Sequence, residues 1–108
     1  GVKLSSNQKD KAKKIYEEII YSKNDFYSIL AFNTILEKKI ISDKNKILEY
    51  FEILENSTSF KDQEDLITLK KALYLIKEKD FENGNDLLKK LIKNKSSLEP
   101  IAQEILNK

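Results

Sequence analysis

The sequence predicts an all-α protein of about six helices, packed as antiparallel pairs that stack on one another. Three observations carry this expectation. Only two Gly and one Pro occur in 108 residues, so few positions break helix propagation. Apolar residues recur three and four apart through most of the chain, and strand-like alternation never persists for more than a few residues. Short polar clusters separate these stretches, and connections of that length favour antiparallel neighbours.

Taken in order, the first helix spans residues 6–21, with Ala12, Ile15, Tyr16, Ile19 and Ile20 at helical spacing. Ser22, Lys23 and Asn24 interrupt it, and Asn24 is a good N-cap for the second helix. That helix carries Tyr27, Leu30, Ala31, Ile35 and Leu36 on one side and ends near Ile40 or Ile41. Ser42 and Asp43 start the third, whose stripe is Ile47, Leu48, Phe51 and Leu54, with Tyr50 beside it. Residues 55–60, including Asn56, Ser57, Thr58 and Ser59, are the most loop-like in the chain. The fourth helix covers about 62–79, with Leu66, Leu69, Ala72, Leu73, Leu75 and Ile76. Asp80 marks a tight turn into the fifth, striped by Phe81, Leu87, Leu88, Leu91 and Ile92. The sixth runs from about Leu98 to Leu106, with Pro100 in its first turn, where a missing N–H costs nothing.

Composition excludes several classes of function. All 20 basic residues are Lys, set against 18 acidic ones, for a net charge of +2. Without Arg there is no bidentate fork for phosphate or guanine, and the lysines form no basic run, which argues against nucleic acid as a partner. Cys and His are absent, which removes disulfides, the commonest metal ligands and the commonest nucleophile–base pairs. We therefore expect no enzyme, no cofactor and no metal. Absence of Cys is compatible with either cytoplasm or periplasm. No apolar run approaches the ~20 residues that cross a bilayer, and no signal peptide is evident. Gly1 follows no Met, which we read as a trimmed start, with any targeting or membrane segment lying outside these residues.

A repeat underlies the helices. Residues 65–98 fit one unit of the ~34-residue tetratricopeptide type. Ala72 is the small residue of the first helix, Lys79-Asp80-Phe81 stands at the turn where Gly is usual, and Gly84 is the small residue of the second helix. Leu88 and Leu91 follow at its apolar positions. A weaker copy runs through Ala31, Ile35, Ser42-Asp43, Ile47, Phe51 and Leu54. The expected organisation is a single domain over 1–108: a half repeat at 6–22, repeats at 24–60 and 62–96, and a half repeat at 98–107, stacked as a short right-handed superhelix.

The residues Tyr27, Leu30-Ala31, Asp65-Leu66, Lys70-Lys71-Ala72-Leu73 and Ile101-Ala102-Gln103-Glu104-Ile105-Leu106 carry a resemblance to one bacterial family. The chain resembles the tetratricopeptide-like, inner-membrane-anchored proteins related to the ancillary subunit of the Sec translocon. The resemblance implies a membrane helix ahead of these residues, a domain projecting into the periplasm, and a role in binding secreted or envelope proteins there.

Candidate chemistry is sparse. Glu49 with Glu52, and Glu82 with Asp86, are acidic pairs at helical spacing that read as solvated surface. The run Asp80-Phe81-Glu82-Asn83-Gly84-Asn85-Asp86 resembles a calcium loop but puts Gly84 at a ligand position and Leu91 where the closing Glu belongs. Asn56-Ser57-Thr58 and Asn94-Lys95-Ser96 match the glycosylation pattern by chance in an Asn-rich chain.

What remains is a surface for a protein or peptide partner. In superhelical repeats the first helix of each pair lines the concave face. The repeat register puts Phe32, Asn33 and Leu36 there from the second helix, and Leu69, Lys70, Leu73 and Lys77 from the fourth. Asn33, Lys70 and Lys77 form an incomplete version of a clamp for a peptide carboxylate, and the reading preferred over it is an apolar groove that grips a hydrophobic segment. The alternative is self-association, with the apolar stripes as contacts between copies.

Overall fold

The computed structural model describes the backbone of residues 6–108 and side chains from Gln8 onward. Six helices and no strand occur among these residues: α1 (Ser6–Tyr21), α2 (Asp25–Lys38), α3 (Lys44–Ser57), α4 (Lys61–Lys77), α5 (Phe81–Lys93) and α6 (Glu99–Leu106). Within α1–α3 and within α4–α6, consecutive helices pack antiparallel, as expected. They fall into two compact units, one ending at Ser57 and the other beginning at Thr58.

The starts of helices follow local chemistry. The Asn24 side chain accepts from the backbone N–H of Phe26 (3.1 Å) and Tyr27 (2.8 Å), satisfying two donors that the helix itself leaves free. Asp43 accepts from Asn45 N–H at 2.9 Å. Asp80 accepts from the N–H of Asn83, and its other carboxylate oxygen takes the Asn83 side-chain amide at 2.9 Å.

The ends of helices are less usual. Lys23, Lys39, Lys79 and Lys95 all have positive φ, between 50° and 66°. Each stands just beyond a helix, where Gly is the common occupant. After α2, α4 and α5 the paired hydrogen bonds of a Schellman ending are complete: Lys39 to Leu36 with Ile40 to Ile35, Lys79 to Ile76 with Asp80 to Leu75, and Lys95 to Ile92 with Ser96 to Leu91. These endings stop α2 at Lys38, short of Ile40 and Ile41, which are both buried. α3 continues through Ser57, so the expected loop at 55–60 shrinks to Thr58–Phe60; Ser57 keeps the helical backbone while its hydroxyl bonds the Ile53 carbonyl.

In the first unit α1 lies along α2, and α3 rests on both with thinner contact. The expected repeat 24–60 pairs α2 with α3, but the closer partner of α2 is α1. The core holds Ile20, Ala31, Phe32, Ile35, Ile47, Tyr50, Phe51 and Leu54. Phe32 meets Phe51 edge-to-face at 4.5 Å and Tyr50 at 6.1 Å, contacts worth about 0.5–1.5 kcal/mol each beyond the area they bury. Ser28 is fully buried and donates to the Ile19 carbonyl at 3.0 Å, so a small side chain lets α2 approach α1 without leaving a polar group unmet. The Tyr50 hydroxyl donates to Glu17 at 2.6 Å and ties α3 to α1, with Lys46 bridging Glu17 (3.7 Å) and Glu49 (3.3 Å).

In the second unit α5 packs along α4 and α6 against α5. Its core is Leu69, Ala72, Leu88, Leu91 and Ala102, flanked by Ile76, Leu87, Ile92, Leu98, Ile105 and Leu106. Gly84 permits a close approach of α5 to α4: a methyl group there would meet Ile76 Cγ1 at 2.8 Å and the Ala72 carbonyl oxygen at 3.0 Å. Ser96, also buried, donates to Asp65 at 2.8 Å and accepts from Leu98 N–H, fastening the α5–α6 turn to the start of α4.

The α1–α2 and α4–α5 hairpins share one register. Lys23-Asn24 and Lys79-Asp80 are left-handed lysines followed by capping residues, and Ser28 and Gly84 each lie four residues beyond the cap. Phe32 corresponds to Leu88, Ile35 to Leu91, and Lys39 to Lys95, all buried or turn-forming in both copies. Each unit is thus a hairpin of this type followed by a third helix.

Candidate functional site

The seven residues expected on a concave face divide between the two units and differ widely in burial. Phe32 is 1% exposed and belongs to the aromatic core of the first unit, so its assignment to a binding surface is corrected. Leu69 is likewise buried, at the centre of the second core, and is corrected with it. Asn33, Leu36 and Lys70 are partly buried, and Leu73 and Lys77 are exposed. Phe32, Asn33 and Leu36 lie in the first unit; Leu69, Lys70, Leu73 and Lys77 lie in the second. Helical spacing explains the misplacement of Phe32. α2 is apolar on more than one side, through Phe26, Tyr27, Ile29, Leu30, Phe32, Ile35 and Leu36, so periodicity alone does not say which side is the core.

An apolar surface does exist, on a different face. An open pocket of ≈ 350 Å³ lies between α1 and α2, lined by Tyr16, Ile19, Ser22, Asn24, Tyr27, Leu30, Ala31 and Thr34. Tyr27 is 60% exposed and Leu30 48%, and at the start of α2 Phe26 is 65% exposed and stacks edge-to-face on Tyr27 at 5.4 Å. Ile15 on α1 is 55% exposed. Polar groups line the Ser22–Asn24 end, where Ser22 Oγ is engaged with the Ile19 carbonyl and Asn24 Oδ1 with the cap of α2. Chemically this is a place for apolar or aromatic side chains.

The matching hairpin in the second unit serves as an internal control. Where α2 exposes Tyr27 and Leu30 and half-buries Thr34, α5 has Asn83, Asp86 and Lys90, all exposed. At these positions the second helix of the hairpin is polar, so the hairpin forms without the apolar pair that Tyr27 and Leu30 place on α2. This signal was available in the sequence, but only once the two hairpins were aligned through their lysine turns rather than through a glycine that is absent from them.

Titratable groups offer little. The Tyr50 hydroxyl is pushed well above its ordinary range, chiefly by burial and then by its hydrogen bond to Glu17. Lys46 is raised by its hydrogen bond to Glu49 and by the nearby Tyr21 and Glu49. Both belong to the tie between α3 and α1. Among the described residues, no group of three or more potential metal ligands converges. No helix among them is long and apolar enough to cross a membrane.

No protein-family model, curated protein or solved structure matches this chain.

Proposed function

We propose that this protein is a protein-binding module that takes an apolar segment of a partner, an amphipathic helix or an extended peptide, on the α1–α2 face. The observation that carries this reading is the contrast between the two hairpins: Tyr27 and Leu30 are exposed where Asn83 and Asp86 stand in the matching positions. Exposed aromatic and aliphatic side chains gathered around a shallow pocket are the ordinary anchor points for helices laid in grooves. The role carries no catalytic chemistry. The tetratricopeptide-like resemblance fits such a module, and with it goes a setting on the periplasmic side of an inner membrane, tethered by a segment outside these residues. That setting is tested separately: the gene upstream of Gly1 should encode an apolar run of about 20 residues, and its absence removes the setting but not the module.

Peptides selected from a displayed library of amphipathic helices against the intact protein provide the direct test. The selected peptides should perturb the NMR signals of Tyr16, Ile19, Tyr27 and Leu30, and Tyr27→Lys with Leu30→Lys should weaken them at least about tenfold, the loss of one buried anchor. Peptides that map elsewhere, or are insensitive to the double substitution, overturn the reading. Sedimentation of the unmodified chain addresses self-association: a dimer that the same substitutions turn into monomer would make the face a contact between copies.

A further inference from the structure

The run that resembles a calcium loop contains Asn83-Gly84, and the structure gives this pair a different significance. An Asn side chain followed by Gly is open to attack by the following backbone nitrogen, because no Cβ hinders the approach. The Gly84 nitrogen bonds to Asn83 Cγ, the side-chain amide leaves as ammonia, and the resulting succinimide takes up water to give Asp or isoaspartate at 83. Atoms balance with water as the only co-reactant, and no oxidant or reductant is needed.

Two features of the fold oppose this reaction. Gly84 N–H is committed to the Asp80 carbonyl at 3.1 Å in the first turn of α5. The Asn83 side-chain amide is held by Asp80 Oδ2 at 2.9 Å, and the Asn83 backbone N–H is directed to Asp80 Oδ1. Asp80 thus engages the nucleophile's hydrogen, through its carbonyl, and the leaving amide, through its carboxylate. Asn83 is exposed, and it lies in the first turn of a helix, where fraying is easiest.

We propose that Asn83 is a conformation-gated deamidation site, protected while the Asp80 cap closes the first turn of α5 and modified when that turn opens. The product does not return to the starting geometry. A carboxylate at 83 loses the amide donor to Asp80 and sets two negative charges side by side, and isoaspartate adds a backbone atom directly before Gly84. Gly84 lies against Ala72 and Ile76 with no room for a methyl group, so the change falls on a close contact between α4 and α5. Modification would therefore hold open the turn whose opening allowed it.

The test is peptide mapping by mass spectrometry of the whole chain after incubation at neutral to mildly alkaline pH, following amide-to-acid conversion at Asn83. Three samples are compared: native protein, protein unfolded in urea, and Asp80→Ala. Conversion should be slowest in the native chain, fastest in urea, and roughly fivefold faster in D80A than in the native chain, the factor expected from loss of a helix cap. Equal rates in native and unfolded protein would overturn the gate, and absence of conversion in urea would overturn the site. A D80A rate equal to the native rate, with helicity intact by circular dichroism, would remove Asp80 from the gate. If D80A does not fold, the native-against-urea comparison still decides whether the fold protects Asn83.

Discussion

At the scale of single residues, the four lysines of positive φ set the clearest expectations. An L-residue in the left-handed region carries a steric cost of about 1–2 kcal/mol that Gly avoids. Lys79→Gly should therefore stabilise the protein by roughly 0.5–1 kcal/mol, after allowance for the greater freedom of Gly in the unfolded chain and the lost attraction of a cation to the helix end. The thermal midpoint should rise by a few degrees; no change, or a fall, would mean that the lysine side chain supplies an interaction the geometry does not reveal. Tyr50 sets a second expectation. Its hydroxyl is held protonated in the fold well above its usual range, so the folded state keeps a proton that the unfolded chain releases above about pH 10. The stability it contributes is complete below that pH and declines as pH rises further. Denaturant titrations at pH 9 and pH 11 should show this alkaline loss, and Tyr50→Phe should reduce it. Lys46, also raised, acts in the same direction, so part of the loss remains in Y50F.

The same residues show what the sequence made legible. Helix starts were readable because Asn24, Asp43 and Asp80 advertise their capping oxygens. Helix ends were less so, because the usual Gly signal is replaced by Lys, a residue equally at home inside a helix. In the sequence Ser57 reads as loop, since Ser and Thr favour turns, yet it completes α3 by bonding back to Ile53. The core position of Ser28 is not legible from spacing, because its burial depends on a partner nine residues away, the Ile19 carbonyl.

At the scale of elements, the α4–α5 contact is controlled by Gly84. Gly84→Ala gains about 1 kcal/mol of helix propensity but must displace Ile76 Cγ1 and press on the Ala72 carbonyl, and overpacking of this kind costs about 1–3 kcal/mol. We expect net destabilisation of about 1 kcal/mol, measured by urea denaturation. A stabilised G84A would show that the two helices separate freely. This contact was anticipated from sequence, where Ala72 and Gly84 stood at the small positions of a helix pair. The exposed α1–α2 surface was not, since taking α2 and α4 as the first helices of repeat pairs directs attention to Phe32 and Leu69, both of which are needed to close the cores. Tyr27 and Leu30, counted among the core stripe of α2, are the residues left outside.

At the scale of the molecule, each unit has its own small core, and cores of this size tolerate little loss. Phe32→Ala removes the centre of the aromatic cluster and should cost about 3–5 kcal/mol. Hydrogen exchange should then show protection lost chiefly from α1–α3. Leu88→Ala, the matching position in the second unit, should cost about 2–5 kcal/mol and weaken chiefly α4–α6. Uniform loss across all six helices in both variants would mean that the chain unfolds as a single cooperative body. Leu73→Lys, at a position 44% exposed, should change stability little in either unit.

The lysines at the helix ends also bear on how this protein can change over generations. Lys and Asn codons differ only in their third base, and Asn is, after Gly, the side chain most at ease with positive φ. Each of Lys23, Lys39, Lys79 and Lys95 is thus one base change from a better-suited residue at an exposed joint. The fold holds four separate, easily reached opportunities to gain stability at positions outside either core. Such gains can offset costly substitutions elsewhere, including new side chains on the face between α1 and α2. The joints therefore give this small protein latitude to alter its surface without losing its fold.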